Sequence, residues 1–111
     1  MKPVLMNAYK NNIKNVRIIG RFSGKSKEGH WILRNCLVLD KNKLLGMEDH
    51  IWLNRIAARR IPMTIPFGVL IMFTAKLQPI TRKDGSPSIR LEDPIIEGVM
   101  TRIAEGERTA S

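Results

Sequence analysis

Two tryptophans and a scatter of lysines and arginines are the residues of this chain whose chemistry suggests a task. Trp31 and Trp52 offer flat π faces on which a nucleic-acid base can stack, a contact worth about 1–3 kcal/mol per base whatever the base. Arg17, Arg21 and Arg34 lie in segments that alternate like strands, and Lys25, Lys27, Arg82 and Lys83 lie in two polar connections. Cations gathered in this way follow a phosphate backbone, because each phosphate they neutralise releases condensed counterions. Arg55, Arg59 and Arg60 form a further basic group. Arg55 and Arg59 stand i, i+4 and so share one helical face.

Other chemistries find little support. His30, Cys36, Asp49 and His50 are the candidate metal ligands, but they fall at none of the spacings that build a zinc or metalloprotease site. A single cysteine gives no intrachain disulfide framework and fits a reducing compartment. Cys36 sits mid-strand, where a thiol is ordinarily a small apolar filler. Glu48 and Asp49 are neighbours, which does not supply the separation that paired acid–base catalysis needs. Ser23-Gly24-Lys25-Ser26 has the ending of a phosphate-binding loop without the glycine that should precede it or a long helix after it. No catalytic residue, metal or cofactor is therefore expected, and the protein reads as a non-enzyme.

The chain has 111 residues, enough for one domain. With 43% hydrophobic residues it can build a core. Its formal net charge is +9 and its pI about 10.3. Residues 1–34 carry eight basic groups against one acid, whereas residues 92–111 carry two against five. A basic body of this kind points to a polyanionic partner. Met1–Lys10 lacks the apolar core of a signal peptide, and no apolar run approaches the ~20 residues that span a membrane. A cytoplasmic protein is expected.

Residues 1–12 show no period and read as a flexible arm. Period-2 alternation over Ile13–Phe22 predicts a first strand, with Val16, Ile18, Gly20 and Phe22 on one face. His30–Leu39 predicts a second, with Trp31, Leu33, Leu37 and Leu39 sharing a face. A turn at Asp40–Lys43 and a short third strand at Asp49–Leu53 follow. Asn54 can cap a short helix that Pro62 ends. Val69–Gln78 alternates most clearly of all, and Asp84-Gly85 supplies the turn pair of a hairpin leading to a fifth strand at Ser88–Glu92, with room to resume after Pro94. Residues 13–100 make the domain and 101–111 a polar tail. If Ile51 and Leu53 face the core, Trp52 is exposed; the opposite parity buries it.

Five short strands with a helix between the third and fourth predict a mainly β fold. With Gly20 interrupting the first strand, the helix after Leu53 and the polar loops Ser23–Gly29 and Thr81–Pro87, the sequence resembles the small five-stranded barrel of the OB-fold superfamily. Asp49-His50-Ile51-Trp52 is similar to segments of small OB-like proteins of phages and mobile elements. An SH3-like barrel would give similar strings. The resemblance implies a ligand on the face of strands two and three, flanked by those two loops. The expectation is thus a non-catalytic module for single-stranded DNA or RNA, held by backbone and base-face contacts with little sequence preference. The alternative is a protein-interaction module that docks on a host or replication protein or on itself, favoured if Leu70 and Met72 form exposed apolar surface.

Overall fold

The computed structural model describes residues 3–100; the expected tail lies outside them. Helix α1 (Pro3–Lys10) is followed by strands β1 (Asn15–Lys25), β2 (Trp31–Asp40) and β3 (Lys43–Leu53). Helix α2 (Arg55–Ala58) then leads to β4 (Leu70–Thr81) and β5 (Pro87–Met100). The strands form one antiparallel sheet in the order β3-β2-β1-β4-β5. The mainly β fold with a short helix between the third and fourth strands is as the sequence indicates.

Each strand turns one face to the core. β1 buries Val16, Ile18 and Phe22, and β4 buries Ile71, Phe73, Ala75 and Leu77, the alternation visible in the sequence. Leu33, Ile51 and Phe73 are fully buried, each adding roughly 1.5–3 kcal/mol of apolar burial. Gly20 belongs to this inner row because a Cβ there would meet Cys36 Sγ at 2.9 Å.

Four expectations need correction. The supposed arm is α1: Pro3 occupies a first turn whose missing N–H costs nothing. Leu5, Met6 and Ala8 are buried, and Asn12 ends the helix in the left-handed region at φ 64°. β3 begins at Lys43 rather than Asp49, and β5 continues through Pro94 to Met100. In β2 the parity reverses midway. Asn35 adopts φ 53° in a bulge opposite Gly20, so Cys36 and Val38 join Trp31 and Leu33 inside, while Leu37 and Leu39 turn outward. Finally, the sheet does not close into a barrel. No ladder joins the edge strands β3 and β5 among the described residues. Instead α1 packs against both of them and α2 packs against β5.

Candidate nucleic-acid interface

β3 settles the parity of Trp52. Ile51 and Leu53 are completely buried, so the indole between them points outward and is 48% exposed. Its neighbour is His30, whose ring centroid lies 5.9 Å away at 35° to the indole plane. His30 is fixed from both sides. Its Nδ1 accepts the Arg55 N–H at 2.9 Å, and its backbone N–H donates to Ser26 Oγ at 3.1 Å. The β1–β2 loop is thereby latched to the start of α2, where Asn54 Oδ1 accepts the Ile56 N–H at 2.8 Å and supplies the expected cap.

His30, His50, Trp52 and Asn54 line one side of a cleft of about 650 Å³. The β4–β5 hairpin lines the other with Ile80, Arg82, Ser88 and Arg90, among others. Arg82 Nη2 donates to Ser88 Oγ at 3.3 Å. Arg90 is held by Glu92, through Nε at 3.1 Å and Nη2 at 2.6 Å. The hairpin tip is ordered by Asp84, whose Oδ1 accepts from the Ser86 N–H at 2.9 Å and the Ser86 hydroxyl at 2.6 Å. These bonds hold the Asp84 carboxyl below the usual carboxylate range. Among the described residues no carboxylate lines the cleft. Its side chains are cationic, hydrogen-bonding or apolar.

Of the residues singled out by sequence, Trp52 and Arg82 meet in this cleft. Arg34 stands beside it, exposed and paired in register with His50. Lys27 and Lys83 are exposed on the flanking loops. Lys25 lies in an adjoining depression of about 270 Å³ that Arg55 and Arg59 also line. The loop lysine and the helix arginines therefore border one depression, together with Glu28. Trp31 is a correction. It is 5% exposed and meets Phe22 edge-on at 5.0 Å, so it belongs to the core and offers no stacking face. Arg17 and Arg21 lie outward on β1 but are engaged in the fold. Arg17 pairs with Glu97 at 2.7 Å and donates to the Lys41 carbonyl at 3.1 Å and to Asn42 Oδ1 at 3.3 Å. The Glu97 carboxylate raises the basicity of its guanidinium. Arg21 Nη1 donates to the Gly68 carbonyl. Asn54 and Arg90 enter the cleft without having been assigned to a site from sequence, and His30 and His50 were weighed there only as metal ligands. For His30 the only available signal was its place at the end of a polar loop, directly before Trp31.

The rest of the outer face is different. Paired residues of antiparallel strands share a face, so Ile19, Leu37, Met47 and Met72 form one apolar row across four strands. Leu39 and Leu44 lie beside them. Met47 is 64% exposed and Leu44 54%.

Comparison with known proteins finds no family model, curated protein or solved structure that matches this chain. No helix among the described residues is long and apolar enough to cross a membrane.

Proposed function

We propose that this protein is a non-catalytic, cytoplasmic binder of single-stranded nucleic acid, built as an OB-like sheet left open between its edge strands. The observation that carries this reading is the half-exposed Trp52 on the outer face of β2–β3, set in a cleft between a latched β1–β2 loop and an arginine-bearing β4–β5 hairpin. That is the place where OB-folds bind oligonucleotides. An exposed indole supplies the stacking platform, and the net charge of +9 supplies the backbone attraction. A duplex keeps its base faces covered and cannot use the indole.

Fluorescence anisotropy with a labelled oligothymidylate and with a duplex of the same length tests the proposal. The single strand should bind more tightly, with log K falling linearly in log salt by roughly 0.7 per phosphate contacted. Equal binding of the duplex, or no binding at low salt, refutes it. A second reading attaches to the apolar row through Ile19, Leu37 and Met47, as surface for a protein partner or a second copy. Sedimentation of the wild type against the double variant Leu44→Lys, Met47→Lys tests it. An unchanged monomer in both removes self-association.

A further inference from the structure

The cleft around Trp52 is rich in hydrogen-bond donors. Asn54 and an unencumbered arginine would ordinarily recognise different bases, since an Asn carboxamide reads adenine by accepting from N6 and donating to N7 together, whereas an arginine fork reads guanine O6 and N7. Here the Asn54 oxygen is already held by the Ile56 N–H at 2.8 Å. What Asn54 retains for a ligand is its N–H₂, a pair of donors, and one lone pair on its oxygen. His30 is likewise partly committed. With Nδ1 accepting from Arg55, the neutral ring carries its proton on Nε2 and is a donor there. Arg90 has given two N–H edges to Glu92. Among the described residues the Arg82 guanidinium donates one hydrogen bond, at 3.3 Å to Ser88, and retains most of its five donors.

We infer that the cleft selects, within a single strand, a base that presents two adjacent acceptors, guanine before others. The base stacks on Trp52, Arg82 bonds its O6/N7 edge, and adenine is disfavoured because its amino group would face the Arg82 donors. The inference rests on the proposed single-strand binding and sharpens the expectation of little base preference. Adenine has acceptors on either side of its N6 amino group and nowhere two together.

The test uses abasic deoxyribose-phosphate strands carrying one central base, so that only that base can reach the indole. Guanine, 7-deazaguanine and adenine strands are titrated against the full chain. Binding is followed by anisotropy and by quenching of the tryptophan emission. Guanine should bind on the order of tenfold more tightly than adenine. Loss of N7 in 7-deazaguanine should remove much of that advantage. Arg82→Met removes the donors, so it should weaken guanine more than adenine and bring their ratio toward one. Three strands that bind and quench equally overturn the inference and leave single-strand binding standing. Absence of binding by these strands and by oligothymidylate overturns both.

Discussion

The outer face of β2 and β3 changes character at the bulge that Asn35 makes. Toward Leu53 it presents Arg34, His50 and Trp52; toward the β2–β3 turn it presents Leu37, Leu39, Leu44 and Met47. Both halves belong to the same two strands and back onto the same core. The charged, aromatic half lies under the β4–β5 hairpin and the loop latched by His30, which together make a cleft. The apolar half has Arg17 beside it, already neutralised by Glu97. A slip of one residue in β2 allows two surfaces of opposite chemistry to be written on one ribbon. Without it, Leu37 and Leu39 would point inward, as strict alternation requires.

The sharpest way to test this division is through the two tryptophans, one on each side of the sheet. Trp31→Ala should cost about 3–5 kcal/mol of stability, read as a lower denaturant midpoint, because the ring packs against Phe22 in the core. Trp52→Ala should leave the midpoint nearly unchanged and weaken single-strand binding by roughly 1–3 kcal/mol. If the exposed indole proved the more important for stability, the division would be misdrawn.

The bulge itself can be attacked at Gly20. Gly20→Ala places a methyl group 2.9 Å from Cys36 Sγ, an overpacking that should cost roughly 1–3 kcal/mol in chemical denaturation. Adding Cys36→Ala should recover much of the loss, since the new methyl then fills the space the sulfur leaves. Failure of the second change to rescue the first would show that Gly20 is needed for its backbone rather than for its lack of a Cβ.

A smaller effect concerns the charges beside the cleft. Lys25 shares its depression with Arg55 and Arg59. Replacing Lys25 by Ser, or Arg55 and Arg59 by Ser, should therefore flatten the salt dependence of binding by about one unit of slope for each cation that meets a phosphate. A helix variant that binds with the wild-type slope would confine the strand to the Trp52 cleft.

The smallest effect is at the hairpin tip. The Asp84 carboxyl is held low in the folded protein, so its bonds to Ser86 contribute above the unfolded carboxylate pKa. Their contribution is lost as pH falls through the lower folded value. An NMR titration of Asp84 should show its midpoint below that of an aspartate in an unstructured peptide. Coincident midpoints would mean the tip is not ordered in this way.

How far this was legible in the sequence follows from the physics of each element. β1 and β4 alternate strictly and were readable, as were the Asn54 cap and the Asp84-Gly85 turn. The parity of Trp52 was readable as one of two choices, fixed only when Ile51 and Leu53 were seen to pack on the core. The bulge was not, because an asparagine tolerates a positive φ without requiring one, and the Gly20 it lies opposite belongs to another strand. Trp31 was misjudged for the same reason as any strand tryptophan: its type suits stacking and core alike, and only Phe22 across the ladder decides. Helix α1 is too short for a period to show, though Pro3 and Asn12 bracket it as start and stop residues should. The cleft depends on the path of the β4–β5 hairpin, a long-range matter.

One detail of α1 reaches beyond its own eight residues. Val4 donates its N–H to Glu48 Oε2 at 3.1 Å, and its side chain fills the notch at Gly46, where an added Cβ would lie 2.8 Å from a Val4 methyl. β3 and β5 are sheet margins whose outward backbone groups could recruit a strand from another molecule. The helix fastened there works as a guard over both margins. Loosening it would uncover those margins to another chain, so the valine seated over Gly46 also guards the sheet against edge-to-edge association.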